Sequence, residues 1–157
     1  MLKQPYRLLN SMGLFGMILQ AAKVLEPTKA GGYLCVAEPT QGLPFDVRMF
    51  GEIEDLDSAT RRFTFCQEKV RRLVGNPEHR LSWQSRDPDN KKYGGAVHCG
   101  EYIFSFSGFS EKMDEAMCLY FAVKCGVLSM GAASLLAQIS ANDAWRALQL
   151  QMGDTVA

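Results

Sequence analysis

Hydrophobic residues recur along this chain with two different periods, and each change of period marks a passage between helix and strand. Leu8, Met12, Phe15, Leu19 and Ala22 return at helical spacing, and Pro27 stands just beyond them as a stop. The spacing predicts a first helix from Arg7 to Leu25, with Gly13 and Gly16 on it. Gly31-Gly32 then opens the apolar run Tyr33-Leu34-Cys35-Val36-Ala37. A stretch rich in Gly and Pro, from Pro39 to Pro44, turns the chain, and Phe45 to Phe50 reads as the return strand of a hairpin. Further on, Ala59, Phe63, Cys66, Val70 and Leu73 fall in steps of four, three, four and three, a one-sided helical stripe. Asp57 or Ser58 is placed to cap that helix, and Gly75 and Pro77 to end it.

The second half alternates more sharply. Leu81 to Ser85 reads as a short strand, and Arg86 to Lys92 as a polar loop. Two strands follow, joined at Cys99-Gly100-Glu101. In the second of them Tyr102, Phe104 and Phe106 alternate with Ile103, Ser105 and Ser107, which gives a strand with two unlike faces. Ser110 suits an N-cap, with Glu111 and Asp114 in the acidic first turn. From Met113 to Val123 the residues are apolar nearly all round, so this helix should be buried. Gly126 ends it. Ser129 to Ser140 and Asn142 to Leu150 complete the pattern as two further helices. The fold expected is one α+β domain over 1–157. Its core, residues 1–128, carries an antiparallel sheet of about five strands with helices on its faces, and residues 129–157 form a C-terminal helical extension.

At 157 residues the chain can bury a sizeable core, and 47% hydrophobic against 22% charged residues excludes disordered and fibrous classes. Seventeen basic residues balance seventeen acidic ones, so there is no general pull toward nucleic acid or an anionic membrane. The five cysteines form no CxxC pair, which sets aside zinc-ribbon and thioredoxin spacing and favours free, buried thiols in a reducing cytoplasm. Lys3 and Arg7 ahead of Met12–Leu19 resemble a signal peptide, but Pro5, Asn10, Ser11 and Gln20 interrupt the run and no small-x-small cleavage site follows. The run is also too short to cross a bilayer. It reads as an amphipathic or buried helix, and the location expected is the cytoplasm, with no membrane partner.

Candidate chemistry is sparse. The two histidines are His79, in a loop, and His98, in a strand beside Cys99. Adjacent strand residues point to opposite faces, so one metal or haem could be reached by His98 or by Cys99, not by both. A thiolate enzyme built on Cys99 or Cys66 is a further possibility. No GxSxG, phosphate loop, HExxH or GxGxxG is present. Asp87 and Asp89 begin like a calcium loop, without the glycine or the distant glutamate that should follow. Arg61, Arg62, Lys69, Arg71 and Arg72 give the second helix a basic face, which reads as solvated and is also able to hold a phosphate or propionate. Leu128 to Trp145 has a faint helix-turn-helix outline, but Arg146 is its lone base and DNA is not expected. The turn Ser107-Gly108-Phe109-Ser110 sets unpaired N–H groups at the start of a helix, where an anionic ligand group is favoured. Gly108 would permit close approach, Ser107 or Ser110 would add a hydroxyl, and Gly94 and Gly95 would share the rim.

Gly94-Gly95-Ala96-Val97, Gly100-Glu101-Tyr102, Phe106-Ser107-Gly108 and Asp114-Glu115-Ala116 together resemble the GG-apolar, G, apolar-SG, D-E pattern of the GlcG/HbpS-like family, over about residues 31–123. That family is described as a haem-degrading or haem-binding domain and also occurs fused to corrinoid adenosyltransferases. The resemblance implies a profilin-like domain with a five-stranded antiparallel sheet, assembly into homo-oligomers, and binding of haem or another small ligand rather than catalysis. The ligand site expected on these residues comprises His98, Cys99, Gly94, Gly95, Ser107, Gly108 and Ser110, with haem as the candidate cofactor and no separate metal. The bulky Tyr102, Phe104 and Phe106 stand where the family has small residues, so they would narrow a pocket. An alternative is an oligomeric or partner-binding protein without ligand, docking through Leu135, Leu136, Ile139, Trp145 and Leu148.

Overall fold

The computed structural model describes residues 12–155. Helix α1 (Met12–Leu25) buries Phe15, Ile18, Leu19 and Ala22 along one side and leaves Met17 and Val24 in solvent. The start expected at Arg7, with Leu8 and the basic residues before it, lies outside the described residues. Strands β1 (Gly31–Ala37) and β2 (Pro44–Gly51) form the expected hairpin, antiparallel from Gly31 opposite Gly51 to Val36 opposite Asp46. A register shift between Val36 and Ala37 puts Phe45 out of alternation.

Helix α2 (Leu56–Gly75) begins earlier than its stripe suggests. Its cap is Asp55, whose side chain accepts from the Ser58 N–H at 2.7 Å, and Asp57 and Ser58 sit inside the first turn. Strands β3 (Ala96–Cys99) and β4 (Tyr102–Ser107) close through Gly100-Glu101, with Gly100 at φ 59, the left-handed conformation that a two-residue hairpin turn requires. β4 also pairs with β1, Tyr33 opposite Ser107 and Ala37 opposite Ile103. The sheet is antiparallel throughout, in the order β2-β1-β4-β3.

Among the described residues the sheet has four strands, one fewer than expected. The strand expected at Leu81–Ser85 shrinks to a single bridge, Leu81 to Val97, followed by a 3-10 turn over Ser82–Ser85. Side chains divert the ladder there. Gln84 Oε1 accepts from the N–H groups of Arg80 and Leu81, and Ser82 Oγ accepts from Ala96 N–H at 3.0 Å.

The elements stack in layers. α2 lies over β1, β4 and β3 on one face, while α1 and α3 (Glu111–Lys124) cover the other. Helices α4 (Met130–Ile139) and α5 (Asp143–Gln151) close over α3 from outside. The larger core lies on the α1–α3 side and takes Tyr102, Phe104 and Phe106; the smaller one, under α2, takes Ile103, Cys66, Val70 and Leu73. The two faces read from the alternation of β4 are therefore both buried. Four of the five cysteines are buried and all are free. Among the described residues no helix is long and apolar enough to cross a membrane.

Of the apolar residues expected to make a docking face at the C-terminal end, Leu136, Trp145 and Leu148 are buried in the main core, and Leu135 and Ile139 are exposed. Tyr120 Oη donates to Asp154 Oδ2 at 2.6 Å, tying the chain beyond α5 back to α3.

Candidate anion-binding cleft

A cleft of about 650 Å³ opens between the first half of α2 and the β4–α3 turn. Its floor is an ion pair. Lys69 Nζ donates to Phe106 O at 2.7 Å and lies 3.3 Å from Asp114 Oδ2, with both side chains almost wholly buried. Asp114 Oδ1 accepts the Phe109 N–H at 2.8 Å. Burial raises the Asp114 carboxyl to about 7, although Lys69 and the Phe109 N–H pull against it.

The walls are aromatic: Phe65 and Tyr93 meet edge to face at 5.3 Å, and Phe109 also lines the cleft. Lys29, Arg61, Arg62 and Lys91 form the rim. Arg62 Nη1 is anchored on Gly31 O at 2.6 Å, whereas Arg61 makes one long contact, 3.4 Å to Ser58 Oγ. Five cationic side chains thus line the cleft against two carboxylates, Glu111 and Asp114, in a chain whose charges cancel overall. Glu111 is already engaged: it takes a two-pronged contact from Arg86 at 2.8 Å and the Gly94 N–H at 2.9 Å. Against the push of burial, these donors hold its carboxyl below the ordinary value.

The expected site residues divide into two groups. Ser107, Gly108 and Ser110 line the cleft, and Gly95 lies against its floor, where a Cβ would fall 2.6 Å from Lys69 Nζ. Gly95 also holds φ +120, a conformation that side chains resist. Gly94 abuts Trp83, with a Cβ falling 2.7 Å from its ring. His98 and Cys99 sit at the far end of β3 and line neither this cleft nor the neighbouring hollows around Trp83, Cys35 and Trp145. The His98 ring lies with Nε2 3.1 Å from Gly100 O. The Cys99 thiol is fully buried in the larger core, which pushes it up to about 12. A haem in the cleft would take no iron ligand from either residue.

The glycine–serine turn also differs from its expected use. A Cβ on Gly108 would fall 2.2 Å from Gly31 O, so this glycine lets β1 and the β4–α3 turn touch backbone to backbone. Two of the N–H groups at the turn are satisfied from within the protein. Asp114 takes that of Phe109, and Glu26 takes that of Ser110. The negative charge favoured at a helix start is already present as Glu26 and Asp114.

Sequence reasoning placed Lys69 on a solvated face and Asp114 at a helix start, and missed their pairing. A signal existed. Lys69 is three residues after Cys66 and four before Leu73, so it falls on the buried stripe, where a cation needs a partner. Phe65 and Tyr93 carried no such signal. No protein-family model, no curated protein and no solved structure matches this chain.

Proposed function

We propose that this chain is a binding protein for a small ligand with an acidic group and a flat, largely apolar body. One observation carries the reading: a surplus of cations ringing a cleft with aromatic walls and a buried Lys69–Asp114 floor. Low-dielectric walls strengthen the field of such a rim, and the aromatic edges suit a planar body. Haem, the ligand implied by the family resemblance, fits these terms through its propionates and ring faces. Its iron would then lack His98 and Cys99. The strand order and the Leu81 bridge on the outer side of β3, where a fifth strand would lie, support the profilin-like reading of the fold.

The test is titration with haemin and with metal-free protoporphyrin IX, followed by the absorption band and by quenching of intrinsic fluorescence. Reversing the two rim charges least committed to the fold, in the double variant Arg61→Glu and Lys91→Glu, should weaken binding of both porphyrins by at least about tenfold, or about 1.4 kcal/mol. His98→Ala and Cys99→Ala should leave it unchanged. The reading fails if neither porphyrin binds, or if the rim variant binds as well as the native chain.

A further inference from the structure

The two edges of the sheet are not equivalent. Outside β3, the chain from Arg80 to Ser82 closes the edge: Arg80 O accepts the His98 N–H at 2.7 Å, Leu81 bridges Val97, and Ser82 Oγ takes the Ala96 N–H. β2 has strand β1 on one side and, among the described residues, no strand on the other. An open edge of eight residues is an invitation to pair with another chain.

The phase of the β1–β2 ladder shows which groups are offered. Glu52 N–H donates to Ala30 O at 3.1 Å, so by antiparallel alternation Phe50, Arg48 and Asp46 bond inward to β1. The N–H and C=O groups of Val47 and Met49 therefore point outward. Apolar surface gathers along the same edge. Leu43, just before β2, and Met49, within it, are exposed, and Phe63 of α2, also exposed, meets the ring of Tyr33, the residue paired with Met49. Monomers do not ordinarily concentrate exposed apolar groups along a bare strand.

Charge identifies the occupant and the register. Asp46 and Arg48 are two residues apart on one face of β2 and pair within the strand at 2.8 Å. If a second β2 lies antiparallel about a two-fold axis through Val47, Asp46 of each copy faces Arg48 of the other. Centring the axis on Arg48 sets Arg48 against Arg48, and centring it on Met49 sets Asp46 against Glu52. Both alternatives place like charges directly opposite, which is unfavourable. We propose that β2 is a self-association edge: two copies add their β2 strands antiparallel about Val47, joining the two sheets into one and covering Met49. Such a contact is isologous and closes as a dimer.

Sedimentation velocity and light scattering on the full chain, with two charge-reversal variants, test this. The native chain should have the mass of two chains at tens of micromolar. Asp46→Arg puts two arginines on each strand and Arg48→Asp puts two aspartates there; each variant alone should be monomeric, with unchanged circular dichroism. Mixed one to one, they should recover the dimer, because every arginine then faces an aspartate. A monomeric native chain overturns the proposal, whether the edge serves another partner or none. So does a dimer that persists in both single variants, or a mixture that stays monomeric.

Discussion

Glu115 sits in the second turn of α3, beyond the reach of solvent, and its environment is unusual enough to predict a measurable gain from removing its charge. Oε2 accepts from Ser140 Oγ and from Asn142 Nδ2 at 2.6 Å, while Oε1 is buried with no hydrogen-bond partner among the described residues. Burial raises the carboxyl from 4.5 to about 7, with the Ser140 and Asn142 donors opposing it. An acid whose folded value lies above its unfolded value holds its proton longer in the native state. Stability is therefore unpenalised below about 4.5, declines as pH rises toward 7, and carries the full cost above that. A rise from 4.5 to about 7 corresponds to about 3 kcal/mol. Glu115→Gln imitates the protonated acid at every pH and can keep its carbonyl on Ser140 and Asn142. Urea unfolding at pH 8 should show the variant more stable by about 2–3 kcal/mol, and at pH 5 the two proteins should agree to within about 1 kcal/mol. Parallel pH profiles, or a variant that is weaker at pH 8, would refute this account of the site.

Two further outcomes follow from the cleft and its supports. Lys69→Met leaves Asp114 buried without its cation, so about 3–5 kcal/mol should be lost at pH 8. Much of it should return on acidification, when Asp114 takes up a proton; a loss independent of pH would show that the pair is not what holds the floor. Gly108→Ala forces a Cβ to within 2.2 Å of Gly31 O, and since backbone cannot swing aside as a side chain can, the loss should reach or exceed the usual overpacking cost of about 1–3 kcal/mol. A chemical melt that matches the native chain would count against the close approach of β1 to the turn.

The parts legible in the sequence were those with a local period. The alternation of Tyr102 to Ser107, the stripe from Cys66 to Leu73 and the turn at Gly100 each encode their geometry within a few residues, and each folds as expected. Leu81 to Ser85 also looked locally like a strand. Its fate depends on Gln84 and Ser82 side chains competing for the ladder's backbone groups, which composition does not reveal. The cleft was half legible. Ser107, Gly108, Ser110 and Gly95 do converge, but Lys69 and Asp114 are 45 residues apart and meet only through tertiary packing. From sequence alone the glycines suggest openings for a ligand. Gly108 and Gly94 are instead where Gly31 and Trp83 press closest, a cause visible only once the distant partner is in place.

The wrapping of α3 has a practical consequence. Because α4 and α5 supply Ala133, Leu136, Ala137, Trp145 and Leu148 to the same core as Met113, Met117 and Tyr120, the last thirty or so residues are no appendage. A protease nick or premature stop after Leu128 would leave a naked greasy flank on the central helix and strip Glu115 of both its donors. Such a fragment should accumulate in inclusion bodies, so anyone trimming this protein for crystals or fusing a reporter to it should keep the tail through Asp154.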